Sequence, residues 1–144
     1  METETMGRVL TEATIENLED LWAEKRGLCP PDQVRRIIVP DALVDTGATL
    51  LSLPTRLIQQ LGLKERYKRR VTGSIGVSEA AVYDAVRLTI QGRDRTMDVM
   101  EVPDDVPVLI GQLPLEHLDF VVDLRSRSLI GNPAHGGEHV LELY

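Results

Sequence analysis

The chain has 144 residues, 42% of them hydrophobic, which makes one domain with enough apolar material for a core. Its formal net charge of −7 argues against generic nucleic-acid binding, which needs basic surface to displace counterions. No apolar stretch approaches the roughly 20 residues that span a bilayer, the acidic opening Met1-Glu2-Thr3-Glu4-Thr5 is unlike a secretory signal, and the lone Cys29 excludes an intrachain disulfide framework. These features predict a cytoplasmic protein with an incidental thiol and no membrane partner.

In chain order, residues 7–15 set Val9, Thr11, Ala13 and Ile15 against polar or charged neighbours, predicting an opening strand with one buried face. Residues 17–32 lose that pattern. Asn17-Leu18-Glu19-Asp20 can begin a helical turn, but Gly27 and Pro30-Pro31 stop it, so the stretch is predicted as mostly loop with Trp22 as its packing anchor. Residues 34–39 are rich in β-branched side chains and predict a second strand, which Pro40-Asp41 should break. Leu43 and Val44 then read as a buried strand, and Asp45-Thr46-Gly47 as the turn that ends it. One carboxylate at the end of a rigid strand suits chemistry better than solvation.

Residues 50–53 continue apolar, and Pro54 marks the start of a helix over 55–61 with Leu57, Ile58 and Leu61 at helical spacing. Gly62 stops it. The basic run Lys64-Glu65-Arg66-Tyr67-Lys68-Arg69-Arg70 reads as a solvated connection past the helix C-terminus, where cations suit the dipole; an acidic partner or substrate is the competing reading. Residues 70–75 and 80–90 form two arms of a hairpin with a small, flexible tip at 73–78. A turn at 91–94, a strand at 95–102 and a loop at 103–107 follow. Val108-Leu109-Ile110-Gly111 precedes a short helix over 112–118, and its glycine permits close approach of backbones. Residues 120–124 and 129–130 pair about a turn, and residues 139–144 read as a final strand. No internal repeat is present.

Leu43-Val44-Asp45-Thr46-Gly47-Ala48, taken with Leu109-Ile110-Gly111, resembles the retroviral-type (retropepsin-like) aspartic proteases, over about residues 7–133. The likeness is to small prokaryotic members of that clan; the helix at 55–61 departs from the minimal viral version. It implies a mostly all-β, closed-barrel-like acid-protease fold with a flap hairpin and one or two short helices. It implies Asp45 as the catalytic carboxylate, with Thr46, Gly47 and Ala48 supporting the turn. In that family the Thr46 hydroxyl braces the partner's matching loop, and the Gly47 carbonyl accepts a hydrogen bond from substrate. The tip of the 73–78 hairpin becomes a substrate-covering flap with Ile75, Gly76 and Val77 as its candidates. Leu109, Ile110 and Gly111 close the fold beneath the catalytic turn. No metal and no organic cofactor is implied.

Peptide hydrolysis by carboxylates needs two of them, one ionised to take a proton from water and one protonated to donate to the scissile carbonyl. This chain carries one Asp-Thr-Gly. The resemblance therefore implies a homodimer with the site on its two-fold axis, and Val140 to Tyr144 as interface strands. The implied partners are a second copy and a peptide or protein substrate, with an acidic optimum. The alternative is a non-catalytic homodimeric peptide-binding or scaffold module of the same fold.

Two other readings carry less. Asp45-Thr46-Gly47-Ala48-Thr49 also fits the phosphate-binding turn of the actin and sugar-kinase superfamily, but that fold needs two large domains. His135 and His139 bracket a carboxylate, yet Gly136-Gly137 prevents the helix that would align them on a metal. A solvated C-terminal loop is expected there, and His117 is expected to be a surface or satisfied residue.

Overall fold

Alternation along β1 (Leu10–Asn17) sends Ala13 and Ile15 into a core and Glu12 and Thr14 to the opposite face, while Glu16 and Asn17 are buried polar residues. The computed structural model that shows this describes residues 8–73 and 76–140. The expected opening strand therefore begins at Leu10, and Gly7 lies outside the described residues. Six strands close into a ring: β1, β2 (Arg36–Val44), β7 (Leu109–Ile110), β3 (Leu51–Pro54), β6 (Arg93–Val102) and β5 (Gly76–Ile90), which returns to β1. The β2–β7 and β3–β6 contacts are parallel, the others antiparallel. Closure abolishes sheet edges within the ring. Val86, Leu88 and Ile90 of β5 fill the interior with Leu51, Leu53, Val99 and Ile110. The mostly-β, barrel-like architecture with few short helices is the one the sequence implied.

Helix α2 (Thr55–Leu61) caps the barrel with Ile58 and Leu61. Pro54 ends β3 and serves as its N-cap, and Gly62 ends it in the left-handed region at φ 66°. Both punctuation marks act where the sequence placed them.

Elsewhere the structure departs from expectation. Residues predicted as loop form helix α1 (Leu18–Lys25). Its N-cap Asn17 accepts from the Asp20 N–H at 3.0 Å, Glu19 and Asp20 occupy the first turn, and Lys25 the last. These local terms carry the helix to the Gly27 stop. Trp22 is no anchor: it is 52% exposed on that helix. Asn17 also donates from Nδ2 to the Leu61 carbonyl at 2.8 Å, tying α1 to α2. Replacing it with Ala should remove a cap and leave a buried carbonyl unpaired. The expected loss is about 1–3 kcal/mol in a denaturant titration, and a loss under about 0.5 kcal/mol would show the cap to be dispensable.

Pro40 does not break β2. Between Val39 (opposite Ala13) and Ala42 (opposite Thr11), two β2 residues face one on β1, so Pro40 sits in a bulge where the ladder needs no donor. The basic run is not a connection either. It belongs to β4 (Lys64–Gly73), which pairs with the first half of β5 and stands outside the ring. Two exposed faces leave such a strand without an apolar period, so periodicity could not reveal it.

The end of the chain is also less free than expected. Helix α3 (Gln112–His117) leads to a hairpin of β8 (Phe120–Asp123) and β9 (Ser128–Gly131). His139 and Val140 are not in a strand, and residues 141–144, where the rest of the final strand was expected, lie outside the described residues. His135 is not solvated: its Nδ1 lies 2.6 Å from Asp119 Oδ2, and its side chain is largely buried. Asp119 further accepts from the Val140 N–H at 3.1 Å and the Asn132 amide at 3.2 Å. Arg93 donates to the carbonyls of Leu118, Asp119 and Gly137, clamping the same segment. No described helix is long and apolar enough to cross a membrane.

Burial alone would raise the Asp119 carboxyl, but the His135, Val140 and Asn132 hydrogen bonds together outweigh it and bring it down to about 2. A carboxyl lowered in the folded state contributes stability that is complete above its ordinary value of 3.8 and is lost as pH falls through about 2. Hydrogen exchange should show the Val140 amide protected at about pH 5 and released towards about pH 2. Unchanged protection at the lower pH would contradict this account.

Candidate active site

The Asp45 turn is held from three sides by backbone. On one side the Val44 N–H donates to the Val9 carbonyl at 2.9 Å. On the other, the Leu43 N–H donates to Val108 at 2.8 Å and the Asp45 N–H to Ile110 at 3.0 Å. The two-residue β7 thus lies between the strands that enter and leave the turn, with Ile110 opposite both Val44 and Leu51. Within the turn, the Ala48 N–H reaches the Asp45 carbonyl at 3.0 Å, and the Gly47 N–H donates to Asp45 Oδ1 at 3.0 Å. That second bond is an Asx turn, which suits a short acid at this position.

The third side is the start of α3. The first N–H groups of a helix have no partner within it. Here the Gly111, Gln112 and Leu113 N–H groups donate to the carbonyls of Leu50 (3.1 Å), Ala48 (2.9 Å) and Thr49 (3.0 Å). A helix end that is usually left to water is instead fastened to the far half of the Asp45 turn. Such proximity leaves no room for a side chain at Gly111. A Cβ there would stand 2.5 Å from the Leu50 oxygen, 2.7 Å from the Thr49 carbonyl carbon and 2.8 Å from the Ala48 oxygen. The need for glycine is steric.

The side chains on this scaffold face outward. Asp45 and Ala48 are half-buried, and Thr46 and Gly47 are exposed. Asp45 Oδ1 engages the Gly47 amide, while Oδ2 has no partner among the described residues. A rigid backbone therefore presents a carboxylate with one oxygen uncommitted. Asp45 lines neither of two grooves found among the described residues. One, of about 480 Å³, lies by α1 between Trp22, Arg36 and Arg87; the other, about 260 Å³, lies between Leu50, Met97 and Leu113.

Of the flap candidates, Gly76 and Val77 open β5, both exposed, with Val77 64% accessible. Gly73 pairs with Gly76 across the hairpin, and Ile75 lies outside the described residues. Ile110 joins Asp45 and Gly111 joins Leu50 through the hydrogen bonds above, and Leu109 stands opposite Leu43 in register. The sequence reading missed the amides of Gln112 and Leu113 and the carbonyl of Val9, because backbone groups leave no side-chain signature. The only available signal was a glycine directly before a helix. Among the described residues no group of three or more His, Cys, Asp or Glu side chains could hold a metal ion.

No curated protein matches the chain. A family model described as aspartyl protease matches residues 38–114, more than half of the chain. The match runs from β2 through the Asp45 turn, α2, the β4–β5 hairpin and β6 to Gly111 and the first residues of α3.

Proposed function

The chain belongs to the aspartyl protease family, and from that premise we propose that it is a homodimeric endopeptidase with one Asp45 from each copy in a shared site. The observation that carries this reading is the Asp45 turn itself, clamped by β7 and α3 while its carboxylate keeps a free oxygen. A positioned acid–base group must be held rigidly, since small displacements forfeit much of its effect. One carboxylate cannot take a proton from water and donate one to the scissile carbonyl oxygen in the same step. A second Asp45 supplies the missing role, and the exposure of Thr46 and Gly47 in one chain leaves the turn free to meet its copy.

Two carboxyls about 3 Å apart do not both ionise cheaply, so the pair shares one proton. The ionised Asp45 accepts a proton from water, and the resulting hydroxide adds to the scissile carbonyl carbon. The protonated Asp45 donates to the carbonyl oxygen. Collapse of the tetrahedral intermediate breaks the C–N bond as the amine takes the proton held by the first Asp45 and a hydroxyl gives its proton to the second, releasing an acid and an amine and restoring the pair. An extended peptide fits as an added strand between the turn and the Gly76–Val77 end of the hairpin. Closing that hairpin excludes water.

The test is digestion of a peptide pool across about pH 4 to 8, read by mass spectrometry, with wild-type and Asp45→Asn protein side by side. Cleavage should favour the acidic side, because one carboxyl must stay protonated. Activity rising steadily to about pH 9 would sink the shared-proton mechanism. A folded, dimeric wild type that cuts nothing would favour a peptide-binding module of the same fold.

A further inference from the structure

Strand β4 is hydrogen-bonded to β5 alone, and β5 uses its second half to close the ring on β1. The outer edge of β4 is therefore unpaired among the described residues. That strand carries Lys64, Arg66, Lys68, Arg69 and Arg70, five of the 16 cations in a chain of net charge −7. Some of this charge is used internally. Arg66 lies 3.2 Å from Asp84 and 3.9 Å from Asp98, and Lys64 lies 4.0 Å from Glu19. Lys68, Arg69 and Arg70 are exposed, and no ion pair joins any of them to a described residue, although Glu79 stands opposite Arg70 in register. Arg69 and Arg66 lie over the ring of Tyr67 at 5.1 and 5.7 Å, which orders the guanidiniums without neutralising them.

Charges on an edge strand oppose pairing with a like-charged edge. A second copy of β4 would bring cation against cation. The same side chains attract an acidic strand. We propose that the β4 edge docks an acidic, extended segment of another polypeptide, which adds as a further strand beside Lys68, Arg69 and Arg70. Backbone hydrogen bonds would supply affinity, and acids at alternate positions would meet Lys68 and Arg70 on one face of the added strand. The edge is long enough for about ten residues at roughly 3.3 Å each. This docking uses no group of the Asp45 turn, and holds whether or not the bound chain is cut.

The experiment is fluorescence anisotropy on full-length Asp45→Asn protein, so that the probe survives and binding is read apart from hydrolysis. The probe is a fluorescein-labelled peptide of about ten residues alternating Glu and Val, matched to the strand period. Saturable binding is expected, weakened by about tenfold or more in Lys68→Glu/Arg69→Glu/Arg70→Glu protein whose circular dichroism is unchanged. If charge reversal disturbs the hairpin, Lys68→Gln/Arg70→Gln is read in its place, with a smaller loss expected. A peptide of the same charge with alternate backbone nitrogens methylated should bind far less well. No saturable binding, equal binding by the charge variants, or equal binding of the methylated peptide would each overturn the proposal. Tighter binding of a single-stranded oligonucleotide of equal charge would overturn it too, in favour of a nucleic-acid surface.

Discussion

Replacing Asp45 with Asn should abolish peptide hydrolysis while leaving the fold intact. The carboxamide oxygen can still accept from the Gly47 N–H, so the Asx turn and the backbone clamp around it survive. What is lost is the exchange of a proton, which a carboxamide cannot perform. General acid–base groups contribute about 10²–10⁴-fold, and both roles rest on this one residue, so a fall of about 10³-fold or more is expected. Thermal melting should move little.

The same variant tests the two-copy site. In a mixture of equal parts allowed to re-assort, only about a quarter of the dimers carry two intact turns, so activity should fall to about a quarter of that of the all-wild-type sample. A fall to only about a half would mean that each chain works alone, and the shared dyad would have to be abandoned.

Gly111→Ala should be the most damaging single methyl in the described part of the chain that supports the site. The added Cβ would meet the Leu50 and Ala48 oxygens and the Thr49 carbonyl carbon, all backbone atoms, at 2.5 to 2.8 Å. None of these can swing away as the end of a side chain would. Either β7 separates from the turn or the turn moves, and both routes strain the bonds from the Gly111, Gln112 and Leu113 amides. Overpacking of this kind costs about 1–3 kcal/mol or more, and activity should fall with stability because the displaced atoms belong to the turn that carries Asp45. Gly73→Ala is the control. Its Cβ would meet nothing within 4 Å, so melting should be unchanged. A Gly111→Ala protein that melts with wild type would show the clamp to be looser than its geometry.

Much of the site was legible in the sequence because its determinants are local. An apolar strand ending in Asp45, a turn former at Gly47, Pro54 before a helix and Gly62 after it each act within a few residues. The glycine after Leu109-Ile110 announced a close approach. It did not announce that the approach would be to the carbonyls of residues 48 to 50, or that the first amides of α3 would be spent on the same turn. Those contacts join segments some 60 residues apart, and only ring closure brings them together.

The misreadings have the same origin. Pro40 looked like a break because its missing N–H matters only against a partner, and it falls in a bulge of its own strand where the ladder needs no donor. The basic run looked like a connection because β4 owes its strand conformation to pairing with β5, not to an apolar face of its own. His135 looked solvated because nothing nearby in sequence names Asp119 as its partner. Alone, the sequence determined that Asp45 would end an apolar strand in a tight turn and which local signals would start and stop the elements around it. Tertiary structure decided which backbone groups hold that residue still and that the outer edge of β4 remains unpaired among the described residues, because hydrogen-bond partners across a sheet follow from the fold's closure and not from neighbours along the chain.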